Sequence, residues 1–433
     1  MMKANIFQSD VTTFDLEREV GHKAHAFLMD TPYNLAPKGS DKGFMGSKWD
    51  SQVACRPETW ERIGLNGYPG AIAMAFGGTR TIHRMMTAAE DAGWIIHPTM
   101  FLWLNGQGQA KGNRVDLKAD KLLGNERPVI GTAEQQGAKY RLTADSIDNG
   151  GYNDPERTEY ALTGAGSEFT EKWVGWFYGL GTLAPRVEPV MIAQVPFSDS
   201  QIENIVEYGT GSYNIDGTRI GPGRFPSNLA MVHHPDCVHV GTKRVKNTSG
   251  DMARDLECNK NPNGIYNAIP CAGFESYGDE DGYETIDNWQ CVEGCPVRTL
   301  ESQSPDVARY TKQADWSFEI VEQMLADERA GVGYSPKVSQ TEREAGMIGN
   351  YPCMVCGGIH TETHTIAGRE EACRRNSHKT LKPIKLIHWL STMLSLPNIP
   401  DRYPNRHLYI PFAGVASEMI ASLFAGWDMI TGV

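Results

Sequence analysis

Nothing in this chain stays apolar long enough to cross a bilayer, which takes about 20 consecutive residues in a helix. Met1 to Asp10 is polar and lacks the apolar centre of a secretory signal, so a cytoplasmic protein is expected. Positive charge is the minority sign: 41 Lys and Arg stand against 53 Asp and Glu, a net charge of −12. That excludes wholesale coating of nucleic acid but leaves room for local cations that meet phosphates. Two stretches qualify, Lys243-Arg244-Val245-Lys246 and the span from Arg374-Arg375 through Lys379, Lys382 and Lys385. Cysteine is nearly missing from the first half. Of nine, only Cys55 precedes Cys237, and the other eight run from Cys237 to Cys373. In a reducing compartment such clustering points to metal more than to disulfides. There is no internal repeat and no low-complexity tract.

What is present describes a globular chain: 433 residues, 40% hydrophobic and 22% charged. That length holds two domains, or one large α/β domain carrying an insertion. Met2 to Phe7, Ala24 to Met29, Gly70 to Phe76, Ile95 to Leu104 (broken near Pro98) and Val187 to Val195 read as strands. A helix capped by Thr79 or Thr81 runs to Asp91 and stops at Gly93. Strands alternating with helices predict an α/β, doubly wound and mostly parallel sheet. Gly106 to Gly181 reads as loops with a helix around Glu168 to Tyr178. From Phe197 to Cys373 periodicity dissolves, as in an insertion with little core of its own. Order returns with a helical stripe at Ile384, Leu386, Ile387, Leu390, Met393 and Leu394. A strand at Leu408 to Ile410, a turn at Pro411 to Gly414, a helix from Ser417 to Ala425 and a strand from Trp427 follow. The expected partition is residues 1–196, an insertion at 197–373, and 374–433.

Asp30-Thr31-Pro32-Tyr33 closes the second strand, and ligands of open α/β sheets sit at carboxyl strand ends. A carboxylate, a backbone carbonyl and an aromatic ring presented together suit the capture of a planar base by its exocyclic amino group. The nitrogen lone pair of such an amine is delocalised into the ring. Two acceptors set against its two N–H bonds would draw it toward tetrahedral geometry and free that lone pair for attack on a methyl carbon held in line.

The tetrapeptide resembles the (Asp/Asn/Ser)-Pro-Pro-(Tyr/Phe) signature of DNA amino-methyltransferases, with Thr31 in place of the first proline. Further segments resemble prokaryotic and phage members in the same order. They are Lys42 to Asp50, Ala75 to Arg84, Glu188-Pro189-Val190, Gly209-Thr210-Gly211, Gly223 to Asn228, Cys295 to Arg298 and Lys379 to Pro383. The arrangement is similar to the permuted beta group, in which the catalytic motif precedes the target-recognition region and the cofactor loop comes last. The resemblance implies a circularly permuted Rossmann-like methyltransferase sheet. It also implies S-adenosylmethionine as cofactor and methylation of adenine N6, ahead of cytosine N4, in duplex DNA whose target base is everted. Asp30 and Thr31 would polarise the amine, and Pro32 and Tyr33 would complete the motif, Tyr33 by stacking. Asp10, Lys382, Pro383, Pro411, Phe412, Ala413 and Gly414 would hold cofactor. Ile410 and Ala416 depart from the family's Asp-Pro-Phe-x-Gly-x-Gly at its first and last defined positions. The family's ribose-binding acid falls where the sequence stops at Val433, which implies a truncated product or a cofactor held without it. The alternative is a catalytically impaired or truncated, methyltransferase-derived DNA-binding protein. Restriction–modification is the setting implied. No membrane is expected, no protein partner is identifiable, and oligomeric state is left open, a homodimer included.

The cysteines suggest structural zinc. His234-x-x-Cys237 and Cys291-x-x-x-Cys295 supply four ligands on two short knuckles, with His233 as the substitute histidine. Cys353-x-x-Cys356 with His360, His364 and Cys373 is a second candidate set, and Cys258 and Cys271 compete for either. The zinc would staple the insertion, and the insertion would read DNA.

Overall fold

The apolar runs line up side by side. A computed structural model describes residues 3–34, 52–104, 110–134, 159–198, 200–220, 224–233, 237–246, 281–293, 295–303, 312–314, 363–366, 369–372, 382–414 and 416–433. Ten strands form one sheet among them: β1 (Lys3–Ile6), β2 (Ala24–Asp30), β3 (Gly67–Phe76), β4 (Ile95–Ile96), β5 (Phe101–Leu104), β10 (Val187–Gln194), β11 (Leu229–Val232), β14 (Lys312–Ala314), β17 (His407–Ile410) and β18 (Met429–Gly432). Their order is β1-β18-β17-β2-β3-β10-β5-β11-β14, with β4 beside β10. Neighbours are parallel except around β10, which runs antiparallel to β3, β4 and β5.

Side chains of β2 alternate between two buried layers, as a strand covered on both faces requires. Ala26 and Leu28 pack with Leu386 and Leu390 of one helix, Ile384–Met393, and Met419 of another, Ser417–Leu423. Phe27 and Met29 pack on the opposite face with Trp60 and Ile63 of Pro57–Leu65 and Met85 of Ile82–Asp91. Each fully buried Leu, Ile, Phe or Met among these contributes about 1.5–3 kcal/mol. Among the described residues the α-helices are α1 (Leu16–Val20), α2 (Pro57–Leu65), α3 (Ile82–Asp91), α4 (Val115–Leu123), α5 (Glu168–Glu171), α6 (Gln201–Tyr208), α7 (Pro296–Gln303), α8 (Ile384–Met393) and α9 (Ser417–Leu423). The sheet is therefore doubly wound, as the alternation of elements predicts.

Two compact units divide the chain: Met1–Gly106, Val187–His360 and Arg374–Val433 form one, and Gln107–Arg186 with Thr361–Cys373 the other. The span expected to be an insertion from residue 197 thus opens with elements of the sheet unit. In α6 Ile202, Ile205 and Val206 recur at helical spacing, yet only Asn204 is buried. Its amide bonds Thr210, whose hydroxyl donates to the Pro69 carbonyl at 2.5 Å and fixes α6 to β3. β11 then joins the sheet beside β5.

The second unit holds α4, α5 and three strand pairs: β6 (Asn113–Arg114) with β9 (Phe177–Tyr178), β7 (Val129–Glu134) with β8 (Glu159–Thr163), and β15 (Thr363–Ile366) with β16 (Arg369–Ala372). The helix expected around Glu168 to Tyr178 is only α5, opened by a reciprocal Ser167–Thr170 cap. None of the buried apolar clusters found among the described residues lies in this unit. Charge holds it together instead: Arg127 pairs with buried Asp116 at 2.9 Å and with Asp120, and Arg114 pairs with Asp116 at 2.6 Å. Burial pushes the Asp120 carboxyl up, but donors from Asn125, Gly166, Thr170 and Arg127 prevail and hold it at about 2.

Candidate active site

β2 and β17 are adjacent and parallel, with Leu408 opposite Ala26 and Tyr409 opposite Phe27. The chain leaves them in opposite directions, β2 toward β3 and β17 toward β18. Such a reversal of strand order opens a crevice beyond the carboxyl ends, where open α/β sheets hold ligands. Asp30 ends β2 at that crevice, and the turn Pro411 to Gly414 follows the end of β17.

Four side chains meet at the Asp30 end. Lys382, just before α8 and 3% exposed, sets its Nζ 2.8 Å from Asp30 Oδ1 and 3.6 Å from Glu188 Oε2. Tyr33 donates its hydroxyl to Glu188 Oε2 at 3.0 Å. The ammonium also lies 5.0 Å from the Tyr33 ring centre and 5.1 Å from that of Phe76, within cation–π range. Burial works to discharge Lys382, but attraction from Asp30, Glu188 and Glu418 outweighs it and raises its pKa. Burial, and then the neighbouring Asp30 and Glu188 charges, raises the Tyr33 pKa well above the usual phenol, so it stays a neutral donor. The resemblance assigns Lys382 to the cofactor, whereas its ammonium here engages the carboxylate expected to accept the target amine. Glu418, in the first turn of α9, joins that cation electrostatically to the helix that follows the glycine turn. Glu188 is the residue not singled out for a site role beforehand. A lone Glu starting an otherwise apolar strand was the available signal.

A second layer fixes this turn. Thr31 is buried and donates its Oγ1 to the Phe76 carbonyl at 2.7 Å, tying the end of β2 to the end of β3. The hydroxyl thereby supplies a tether in place of proline's ring. Thr81 is the N-cap residue of α3 but makes no side-chain capping bond; its Oγ1 donates to the Tyr33 carbonyl at 2.7 Å. Arg80 donates to the Asn34 carbonyl at 2.5 Å.

The turn after β17 is unusual in its backbone. Phe412, Gly414 and Ala416 all lie in the left-handed region, at φ 68°, 54° and 64°. A residue bearing Cβ is strained there, by about 1–2 kcal/mol. Pro411 and Ala413 are buried, while Gly414 is exposed and its backbone open to a ligand. β18 must run close beneath: a Cβ on Gly432 would lie 2.3 Å from Met419 Sδ and 2.8 Å from the Ala413 Cβ. Pro383 is the residue just before α8. Asp10 is exposed beyond the end of β1, and its carboxylate accepts from the Thr12 amide at 2.9 Å and hydroxyl at 2.7 Å. Those bonds lower its pKa. The ends of β1, β17 and β18 coincide, with Ile6 and Ile410 both opposite Gly432. Ile410 itself is fully buried.

His233, Cys237, Cys291 and Cys295 converge, with their ligand atoms all within 4.8 Å of one another. His233 is the histidine placed there; His234 lies outside the described residues, as do Cys353, Cys356, His360 and Cys373.

No protein-family model and no curated protein sequence matches this chain. Among solved structures, the crystal structure of M1.HpyAVI aligns with a TM-score of 0.21 and 12% identity, covering 45% of this chain and 56% of that one. The crystal structure of the M1.HpyAVI-SAM complex aligns with a TM-score of 0.31 and 9% identity, covering 99% of this chain and 92% of that one.

Proposed function

We propose that this protein is an S-adenosylmethionine-dependent DNA methyltransferase acting on the exocyclic amine of adenine, ahead of that of cytosine, in an everted base. The observation that carries the reading is the pairing of β2 with β17. It sets the Asp30 carboxylate and the left-handed turn at Phe412 to Gly414 on neighbouring strand ends of one crevice. The same pairing supports a permuted order, since a strand near the amino terminus and one near the carboxyl terminus build the centre of the sheet.

Asp30 accepts one N–H of the target amine, and the Thr31 carbonyl accepts the other. Lys382 engages Oδ1 of Asp30, and a carboxylate accepts on both oxygens, so the amine can share it. Tyr33, held by its hydroxyl on Glu188, keeps a fixed ring plane against which a base stacks. Asp30 and Glu188 bring two negative charges against the single cation of Lys382, and that balance favours a positive charge developing on the amine nitrogen. The residues around the β17 turn suit the cofactor: exposed backbone at Gly414, with the Asp10 carboxylate at the end of β1. When bound, S-adenosylmethionine supplies an electrophilic methyl group on a sulfonium. The antiparallel ribbon of β12 (Val238–Lys246) and β13 (Tyr283–Gln290) has the size of an element that enters a major groove. Its Lys243 and Arg244 pair with Glu301 and Asp281, partners that phosphates would have to displace. No helix among the described residues is long and apolar enough to cross a membrane.

Purified protein should transfer labelled methyl to duplex DNA, and Asp30→Asn and Asp30→Ala should abolish transfer with the circular dichroism unchanged. No transfer across a wide set of DNA sequences would overturn the reading. A second reading, a methyltransferase-derived DNA-binding protein, is favoured by buried Ile410 where the resemblance expects an aspartate. Salt-sensitive DNA binding without calorimetric S-adenosylmethionine binding would select it.

A further inference from the structure

We infer that His233, Cys237, Cys291 and Cys295 form a closed, mononuclear zinc site that pins the β12–β13 ribbon to the edge of the central sheet. Each ligand sits at the junction of a different element. His233 follows β11, a strand of the sheet; Cys237 immediately precedes β12; Cys291 immediately follows β13; Cys295 immediately precedes α7. Val238 and Gln290 pair with each other, so Cys237 and Cys291 flank the open end of the ribbon.

The spacing fits one tetrahedral ion. Zn–S bonds of about 2.3 Å and Zn–N bonds of about 2.0–2.1 Å put neighbouring ligand atoms about 3.5–3.8 Å apart. His233 Nδ1 lies 3.4 Å from the Cys291 sulfur and 3.7 Å from the Cys295 sulfur. Three sulfurs and one imidazole, with their ligand atoms all within 4.8 Å of one another, select zinc among common divalent ions. Cys237 and Cys295 are buried, and no disulfide joins the three cysteines.

The surroundings orient the ligands as knuckles require. Trp289 stacks on the His233 ring at 4.2 Å between centres and 19° between planes, which sets the imidazole. The Val292 backbone hydrogen-bonds the Cys237 sulfur, and Arg298 donates to the Cys291 carbonyl at 3.0 Å. The local apolar cluster is small: its buried members are Met231, Cys237, Cys295 and Val297, two of them ligands. So few apolar groups hold a nine-residue strand weakly, and a metal would supply the missing cohesion.

The test uses the full chain purified without chelator. Metal analysis should find about one zinc per chain belonging to this site. That zinc should survive Cys353→Ser and Cys356→Ser, which report on any second site, and disappear with Cys291→Ser. His233→Ala should lower its occupancy and His234→Ala should not. Because the cysteine variants could fail to fold, exchange into cobalt is read on the native chain. Tetrahedral cobalt–thiolate absorption is expected, and zinc should quench it. Removing the metal should speed tryptic cleavage after Lys243, Arg244 and Lys246 well before general unfolding. Native protein free of zinc that gives no cobalt–thiolate spectrum would overturn the inference, as would zinc retained by the folded Cys291→Ser variant.

Discussion

Replacing Lys382 with methionine tests the electrostatics of the Asp30 cluster directly. Its ammonium faces two carboxylates at 2.8 and 3.6 Å, and all three side chains are less than a third exposed. With an effective dielectric of about 20, the gross attractions are about 6 and 5 kcal/mol before desolvation. Much of that is offset by the cost of burying the charges, and removal of one partner from a buried pair typically costs about 3–5 kcal/mol. Lys382→Met should therefore destabilise the protein by about 3–5 kcal/mol at neutral pH. Methionine keeps most of the volume, so little of the loss would be a cavity. Urea unfolding followed by tryptophan fluorescence reads the difference from the wild type. The difference should shrink when Glu188→Gln is combined with Lys382→Met, since one repelling charge is then gone. A loss below about 1 kcal/mol would place Lys382 with exposed surface pairs and refute the reasoning.

Two further perturbations address the frame around the site. His25 and His407 are buried and neutral: burial, with nearby His22, holds His25 at about 4, and burial with His22 and His25 holds His407 at about 3. The His25 Nδ1 must stay unprotonated to accept from the His407 amide at 3.1 Å. Both folded values lie below the unfolded one, so stability is full above about pH 6.5 and is lost as pH falls toward the folded values. By about pH 5 each histidine should cost about 2 kcal/mol, read as a falling urea midpoint that flattens in His25→Gln. An unchanged midpoint between about pH 8 and pH 5 would contradict this. Gly432→Ala should cost about 1–3 kcal/mol by overpacking, because the Met419 thioether can swing aside but the Ala413 Cβ cannot. A variant as stable as the wild type in urea would show that the turn yields.

The sheet was legible because its strands are short apolar runs bounded by turn residues, and because the stripe from Ile384 to Leu394 keeps helical period. Ile95 to Leu104 parts into β4 and β5 around the Pro98 break. The motif Asp30 to Tyr33 could be read, but the cation paired with it could not. Lys382 lies some 350 residues away, and only the packing of α8 beneath the sheet brings it to Asp30. Thr81 occupies the cap position of α3 that the sequence suggested, while its hydroxyl donates to the Tyr33 carbonyl rather than capping the helix. The second unit was opaque for another reason. It rests on Arg127, Asp116 and Asp120, and charge networks leave no periodic trace. Cysteine spacing pointed to the cluster to within one residue: β11 ends one position before His233, which brings that histidine to Cys237, Cys291 and Cys295.

Strands β17 and β18 carry a consequence for biogenesis. They fill the gap in the sheet between β1 and β2, and a bond such as that from His407 to His25 spans 382 positions. A ribosome therefore makes both flanking strands long before the pair that joins them, leaving β1 and β2 with unsatisfied edges throughout elongation. Sheet edges of that kind recruit other strands, and pairings this distant in sequence close slowly. The nascent chain should depend on holding factors until β17 and β18 emerge, and the crevice between β2 and β17 comes into being only at that late step.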